Sequence, residues 1–236
     1  MEATTDKTYY DGDLLEGQAS SYAPQIAFYT RAWIDNVRPE LEGRTGLKVL
    51  DLGAGSCTTS YVLSQEAFVG EIAAADISAA RLRTMSEETR AVIGGDASKL
   101  SFHEIDFNRP LPFADDSFDL VVMDAALHHS RNIWETLAEI RRVLKPGALF
   151  VAQREAFTSP LTNRVTFKRL LASPEVAAGV SENAYLPSQY DYYLRANGFE
   201  PRLIPVYESL KFRLLFFLNG IVFSKYNIVA RSTKAV

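Results

Sequence analysis

The sequence predicts an α/β fold: a doubly wound, mostly parallel seven-stranded sheet with a closing antiparallel strand. Three observations predict it. Strand-like and helix-like stretches alternate from Lys48 to Gln153, a pattern typical of parallel strands joined by helices. A glycine-rich turn directly follows the first strand. Beyond residue 189, a helix, a strand, an apolar stretch and a last strand indicate a closing antiparallel pair.

Each element in the alternation has its own local signal. KVLDLG at 48–53 is a short apolar strand, and FDLVVMDAAL at 118–127 carries an apolar run suited to burial on both faces. The helix after it has apolar residues at 133, 137, 140 and 144, on one face, and Pro146-Gly147 is expected to end it. The other predicted elements are strands at 71–78, 101–107 and 148–153 and helices at 58–65 and 79–93.

We predict one domain over residues 1–236, in four parts. These are a helical cap at 1–45 with a helix at 21–37, a core at 46–156, a lid insertion at 157–188, and a carboxyl-terminal helix with closing strands at 189–236. The lid directly follows a strand, which places it over the ligand edge of the sheet. The apolar stretch 210–223 fits a buried hairpin, a dimer surface or a substrate wall, and these remain open.

Composition narrows the classes of partner. The formal charge of −4 supplies no field that would gather nucleic acid, so a small-molecule partner is expected. No apolar run reaches the roughly 18 residues of a membrane span. The single cysteine cannot form an internal disulfide, and the amino terminus lacks a basic-then-apolar leader, so we expect a cytoplasmic protein. A homodimer is one option for the assembly.

The turn after the first strand is suited to bring backbone N–H groups close to a ligand. Gly53 and Gly55 stand where a Cβ would obstruct that approach. A dinucleotide fingerprint would have a third glycine at Thr58, and Asp51 would repel a pyrophosphate and attract an amine. The turn therefore favours a ligand with a cationic end over NAD(P).

Two more acids follow the next two strands. Asp76 stands 21 residues after Gly55, where a carboxylate can accept both hydroxyls of a ribose. Asp106 ends the third strand, where it could accept from an adenine amino group. A single acid could equally be a helix cap, but with Asp51 there are acids at three successive strand ends. Together they indicate an adenosine ligand that also carries an amine.

Four segments, VLDLGAGSC, AADIS, EIDFNRPLPFADDSFDLVVMDAALHH and EIRRVLKPGALFVAQ, closely resemble the class I S-adenosylmethionine-dependent methyltransferases. The resemblance is closest to small-molecule enzymes with an LHH signature after strand four, and it covers residues 48–153. It implies a Rossmann-like methyltransferase fold, S-adenosylmethionine as the cofactor and S-adenosylhomocysteine as the product.

The resemblance also implies cofactor contacts. These are Asp51, Gly53, Ala54 and Gly55 at the methionine end, Asp76 with Ile77 at the ribose and adenine, Asp106 with Phe107 at the adenine, and Asp124 with Ala125 beside the transferring methyl. Cys57 stands where the family often has glycine. We interpret it as a replaced cradle glycine near the methionine end, because nothing nearby in sequence would stabilise a thiolate.

The implied reaction transfers a methyl group to an oxygen or nitrogen nucleophile of a small-molecule acceptor. Alignment carries most of such catalysis, so no metal is expected. His128, His129 and Glu155 are the candidate bases, although a histidine here could equally cap a helix or bind the lid. Arg154 could bind an acidic acceptor.

Two other classes share parts of this pattern. An NAD(P)-dependent oxidoreductase would have the same sheet and ribose acid, although Asp51 and Thr58 disfavour it. A noncatalytic S-adenosylmethionine-binding protein would keep the whole cradle, and sequence alone does not distinguish it from an enzyme. Both remain alternatives at this point.

Overall fold

The computed structural model describes residues 5–12, 18–41, 43–206, 214, 218 and 226–234. Apart from positions 214 and 218, the apolar stretch at 210–223 lies outside the described residues, so its predicted roles stay predictions. Within the described ranges, no helix is long and apolar enough to cross a membrane.

A seven-stranded sheet runs through the described part of the chain in the order β3-β2-β1-β4-β5-β7-β6. The strands are β1 (Leu47–Leu52), β2 (Val69–Asp76), β3 (Leu100–Glu104), β4 (Phe118–Asp124), β5 (Leu144–Gln153), β6 (Phe199–Pro205) and β7 (Tyr226–Ser232). β1 to β5 pair in parallel, and β7 is antiparallel to both β5 and β6. The predicted fold class is confirmed.

Apolar side chains on both faces bury the central strands. Leu50 and Val121 pack into the core on one face, whereas Val49 and Leu120 pack into the core on the other, as the alternation of side chains along a strand requires. The strand order reverses between β1 and β4, so the loops that follow these two strands diverge. This reversal leaves a crevice at the carboxyl ends of the strands, where ligands of such folds bind.

Helices cover the sheet. They are α1 (Thr5–Gly12), α2 (Gln18–Leu41), α3 (Thr58–Ser64), α4 (Ala79–Ile93), α5 (Ile133–Val143), α6 (Asn163–Leu171), α7 (Pro174–Ala177) and α8 (Pro187–Ala196). The predicted stripe of α5 is buried, but α5 ends at Val143, earlier than Pro146-Gly147. The prediction was wrong there because Leu144 is extended and already pairs with Phe118 of β4.

Helix α2 is fixed to the sheet by a polar contact inside the core. Trp33 is fully buried, and its indole Nε1 donates to Gln153 Oε1 at 2.8 Å. The amide of Gln153 in turn donates to Thr30 Oγ1 at 3.0 Å and to Thr59 Oγ1 at 3.1 Å. One side chain at the end of β5 therefore joins α2 and α3.

Replacing Trp33 should reveal the cost of breaking this contact. Trp33→Phe keeps most of the ring but leaves Gln153 Oε1 buried without its donor, so we expect a loss of about 1–3 kcal/mol in the free energy of unfolding. The matched control is Trp134→Phe at a 40% exposed position, with an expected change within about 0.5 kcal/mol. Urea titrations of both variants provide the measurement, and equal losses would contradict the prediction.

Candidate functional site

A cavity of about 320 Å³ lies at the carboxyl ends of β1, β2, β3 and β4, under α1 and α2. Its lining includes nine of the eleven residues for which the sequence predicts cofactor contacts. These nine are Gly53, Ala54, Gly55, Asp76, Ile77, Asp106, Phe107, Asp124 and Ala125. The structure therefore brings the motifs of four separate strands to one place.

The glycine turn after β1 is fixed against β2. The Gly53 and Ala54 N–H groups donate to the Ala75 carbonyl at 2.8 and 2.9 Å, and the Gly55 N–H donates to Asp76 Oδ2 at 2.8 Å. Gly53 has a φ of 78°, and a Cβ there would lie 2.6 Å from the Ala126 Cβ. The turn thus requires glycine at position 53 for close packing against the loop after β4.

Cys57 does not line the cavity, so the predicted contact through its side chain receives no support from the geometry. The residue is fully buried and packs with Tyr61, Ala74 and Leu82 beneath the turn. Burial raises the pKa of its thiol well above the usual value, with smaller contributions from Asp51 and Asp76. Its φ of 58° lies in the left-handed region, which explains why a glycine would fit at this position.

Asp51 is fully buried behind the glycine turn. Its Oδ2 accepts from Ser60 Oγ at 2.6 Å, and its Oδ1 has no hydrogen-bond donor among the described residues. Burial raises the pKa of Asp51 to about 7, and the nearby Asp124 and Asp76 charges add to the effect against the hydrogen bond from Ser60. A hydrogen-bond donor or a cation placed beside Oδ1 would stabilise the charged carboxylate.

The acids after β2 and β3 differ in how they are satisfied. Asp76 accepts from two backbone N–H groups, those of Gly55 and of Ser78 at 2.9 Å, and burial raises its pKa in spite of them. Asp106 accepts from the Asn108 N–H at 3.0 Å through Oδ1, while its buried Oδ2 has no hydrogen-bond partner in the described ranges. The Arg109 guanidinium lies 3.5 Å from Asp106 Oδ2 without a hydrogen bond, so this oxygen can still accept from an amino group in the cavity.

Asp124 is paired with Arg154. The guanidinium donates through Nε and Nη2 to the two carboxylate oxygens at 2.6 and 2.8 Å. Both side chains line the cavity. Arg154 was expected to bind an acidic acceptor, but in the structure it neutralises Asp124.

Glu155 is buried and does not line the cavity. Its carboxylate accepts from the backbone N–H groups of Ala126, Leu127 and His128 at 3.0 to 3.2 Å and contacts His128 Nδ1 at 2.7 Å. All of these partners belong to the loop after β4. The geometry therefore makes Glu155 an anchor for that loop and leaves it no contact with a ligand in the cavity.

His129 lines the cavity, and its Nδ1 is held by the lid insertion. Nδ1 lies 2.9 Å from the Ser181 carbonyl and 2.9 Å from Glu182 Oε2. Burial alone would lower the pKa of His129, but the hydrogen bond and charge of Glu182 outweigh it and raise the pKa above its usual value. The same contact lowers the pKa of Glu182 against the effect of burial. With Nδ1 held, Nε2 is the nitrogen left for a ligand.

His128, His129 and Glu182 are residue types that can bind a metal ion, and their ligand atoms lie within 4.8 Å of one another. The Ser181 carbonyl beside His129 Nδ1 only accepts hydrogen bonds, however, so that nitrogen carries a proton. The arrangement thus fits a histidine that donates to the Ser181 carbonyl and forms an ion pair with Glu182 better than a set of metal ligands.

Sequence analysis did not identify Glu182 and Asp6 as site residues. Glu182 lies 53 positions after His129 in the lid insertion, and Asp6 belongs to α1. Asp6 is buried at the cavity wall, where Oδ2 accepts from Arg131 Nη2 at 2.7 Å and Oδ1 has no donor among the described residues. Tyr10 of the same helix also lines the cavity, as the predicted aromatic cap would require. No local pattern distinguishes these acids from surface acids.

The parallel sheet, the cavity at its switch point and the acids at successive strand ends define an α/β domain of the methyltransferase type. Residues 50–152 match a family described as a methyltransferase domain. The family match, the methyltransferase relatives and the solved structures together support the resemblance to the class I S-adenosylmethionine-dependent methyltransferases.

Individual relatives agree with this assignment. The demethylmenaquinone methyltransferase of Corynebacterium glutamicum is 32% identical over 165 residues, which cover 69% of this chain and 64% of the relative. The match therefore spans less than two thirds of that relative's length.

Two solved structures share the fold. A Haloferax volcanii methyltransferase in complex with the activator Trm112 superposes with a TM-score of 0.70, at 19% identity, over 99% of this chain and 100% of the other. The arsenic(III) S-adenosylmethionine methyltransferase of Chlamydomonas reinhardtii gives a TM-score of 0.56 at 23% identity, over 87% and 73%. These comparisons give no support to the homodimer considered from the sequence.

The effect of a substitution at position 57 on stability should depend on backbone conformation more than on the chemistry of the side chain. Cys57→Gly relieves the left-handed backbone and loses a small buried side chain, so we expect a change within about 1 kcal/mol in the free energy of unfolding. Cys57→Val places a β-branched residue at that φ and should cost about 1–3 kcal/mol. Urea titrations of both variants test this, and a larger loss for glycine than for valine would contradict it.

Asp51 should make the ligand-free protein less stable as pH rises. Its pKa is higher in the folded state than in the unfolded chain, so the folded state binds the extra proton between about pH 4 and pH 7 and loses that advantage above it. We therefore expect the stability of Asp51→Asn relative to wild type to increase by about 2 kcal/mol from pH 5 to pH 8. Asp35→Asn, on the exposed side of α2, serves as the control. A constant difference for Asp51→Asn would contradict the prediction.

Proposed function

We propose that the protein transfers a methyl group from S-adenosylmethionine to a hydroxyl-bearing small-molecule acceptor and releases S-adenosylhomocysteine. The cavity carries this proposal, because the acids Asp76, Asp106 and Asp124 at three strand ends line it together with His129, whose Nδ1 contacts a lid carboxylate. The cytoplasm is the proposed compartment.

The residues of the cavity fit the cofactor on two independent observations. Among the described residues, Asp51 Oδ1 behind the glycine turn and Asp106 Oδ2 in the cavity wall are buried without a hydrogen-bond donor, and the cofactor carries two amino groups, one at its methionine end and one on adenine. The close approach at Gly53 leaves no room for a side chain where the ligand would pass. Asp76 and Ile77, on the β2 side of the cavity, would hold the ribose and the adenine.

The bound cofactor supplies a methyl group that is electrophilic because it is attached to a sulfonium. The protein has to hold the acceptor in line with that methyl and exclude water. Asp124, neutralised by Arg154, and the Ala125 backbone would line the end of the cavity beside the reacting groups. Tyr10, Tyr22 and Ile26 would exclude water from above.

We assign the general base to His129 from among the predicted candidates. Its Nε2 would accept the acceptor's proton while the Ser181 carbonyl accepts from Nδ1 and the neighbouring Glu182 carboxylate stabilises the charged ring. His128 and Glu155 would act one step further away, since Glu155 fixes the backbone from which His129 projects. They are positioning residues in this proposal.

An acceptor with an acidic ring hydroxyl suits the lining. Apolar and aromatic side chains, among them Tyr22, Ile26, Met85 and Val180, surround the space left beside the cofactor residues. The curated relatives are named for demethylmenaquinone, which is a quinone. Removing a proton from a phenol or hydroquinone makes both its oxygen and its ring carbons nucleophilic, so the same base would serve either product.

The direct test measures S-adenosylhomocysteine release with a panel of hydroquinones and phenols, compared with amines and sugars of similar size. Turnover confined to the ring hydroxyl compounds, with a methylated product seen by mass spectrometry, would support the proposal. Cofactor binding by calorimetry without turnover on any acceptor would favour the noncatalytic alternative. Affinity for NADH without affinity for S-adenosylmethionine would favour the oxidoreductase.

Variants of the histidine and the lid carboxylate should separate their roles. His129→Gln should lower kcat by about 10²–10⁴ with little change in cofactor Kd, because it removes the base and keeps the cradle. Glu182→Gln should lower kcat and also shift the rising limb of the pH profile to lower pH, because Glu182 raises the pKa of His129.

Controls match each change elsewhere in the chain. His103→Gln on β3 and Glu175→Gln on α7 alter the same residue types outside the cavity lining and should leave kcat and its pH profile near wild type. An unshifted profile in Glu182→Gln, with kcat reduced as in His129→Gln, would contradict the assigned dyad.

A further inference from the structure

Helix α6 is a helix without a buried side chain. It lies in the lid insertion, and most of its residues are exposed. The exposed residues include large apolar side chains, with Leu161 just before the helix 70% exposed and Leu171 at its end 76% exposed. Val165 and Phe167 between them are 53% and 46% exposed. Scattered single exposed apolar residues are normal, but four within eleven positions form a patch.

Basic residues are interleaved with these apolar ones. Arg164, Lys168 and Arg169 are exposed, and none of them makes an ion pair with a described residue. Residues 156–174 contain no acid, although the chain as a whole has a formal charge of −4. We call the three cations and the four apolar residues together the α6 patch. It concentrates positive charge on one element of an otherwise acidic protein.

The lid insertion connects this patch to the cavity. Thr158 N–H donates to the Tyr185 carbonyl at 2.9 Å, which closes the base of the insertion, and Val180 within it lines the cavity. Near the carboxyl end of the insertion, the Asn183 amide donates to the His128 and Ser130 carbonyls at 3.0 and 3.1 Å. The patch therefore lies on the same insertion that provides Glu182 to the site.

We propose that the α6 patch docks on a lipid bilayer that contains anionic headgroups. Interleaved cations and large apolar side chains, with no acid, are the chemistry of interfacial helices: the apolar side chains enter the headgroup boundary and the cations contact lipid phosphates. A protein partner fits less well, because the core of a protein interface is depleted of charged residues, whereas here three cations are interleaved with the apolar side chains. Docking here would place the lid insertion beside apolar molecules that are dissolved in the bilayer.

Vesicle co-sedimentation of the full chain tests the proposal without reference to catalysis. Vesicles of phosphatidylcholine with about one third phosphatidylglycerol should bind the protein, and pure phosphatidylcholine vesicles should bind it much less, with binding weakened by salt. Replacing all three cations, R164A/K168A/R169A, should reduce the partition coefficient on the order of a hundredfold, since each is worth about fivefold near an anionic surface.

An apolar variant and a matched control complete the experiment. F167S/L171S should also reduce binding to anionic vesicles, whereas R83A/R90A/V92S, which changes exposed cations and an apolar residue on α4, should not. Circular dichroism checks that each variant is folded.

Three outcomes would overturn the proposal. The first is absence of binding to anionic vesicles, and the second is an equal loss of binding in the α4 and α6 variants. The third is a concentration-dependent oligomer that covers the α6 patch and that dissociates when the α6 residues are replaced. Because no methyl acceptor is involved, the docking result is independent of the proposed reaction.

Discussion

Three consecutive side chains at the carboxyl end of β5 hold the site together. Gln153 joins the sheet to α2 and α3 through Trp33, Thr30 and Thr59. Arg154 fixes Asp124 at the end of β4, and Glu155 accepts the backbone donors of the loop that follows β4. β5 ends at Gln153 and Arg154 has a φ of 53°, so the chain turns there, and the three side chains reach a helix layer, a neighbouring strand and a loop. The shape of the cavity depends on these contacts.

Several carboxylates lie close together at this edge of the sheet. Asp51, Asp76, Asp106 and Asp124 all lie near the edge where the parallel strands end. Among the described residues, Asp124 alone of these four has a bidentate cationic partner. Backbone N–H groups donate to Asp76, Arg109 contacts Asp106, and a serine donates to one of the two oxygens of Asp51. Burial raises the pKa of Asp51, and the charges of Asp124 and Asp76 add to this effect. A ligand that brings donors and a positive charge would complete the electrostatics of the site.

The sequence predicts the parts of this molecule that depend on local pattern. The apolar run of β4, the stripe of α5 and the glycine turn are each specified by neighbouring residues, and all are present in the structure. What the sequence does not predict depends on pairing between distant residues. Glu182 becomes a site residue only because the lid insertion folds back onto the loop after β4, and nothing in its neighbourhood signals that contact.

The same distinction explains the residues whose predicted side-chain contacts the geometry does not provide. Cys57 occupies a glycine-like backbone position, as its place in the turn indicates, but the direction of its side chain depends on the packing of α3 against β2. The Glu155 carboxylate is a residue type that can act as a base, but three backbone N–H groups donate to it and occupy the places where a ligand would bind. Residue type gives the chemistry that is available, and only tertiary structure decides which partner receives it.

The insertion of β7 between β5 and β6 has a consequence for synthesis. β6 pairs with β7 in the described sheet, and β7 follows it in the chain. While the ribosome has made only the residues up to β6, the edge of β5 is open and β6 has no neighbour. Such unpaired edges are the places where nascent chains associate wrongly. We therefore expect chaperones to raise the yield of folded protein in a cell-free translation, because they would cover these edges until residues 226–232 have emerged.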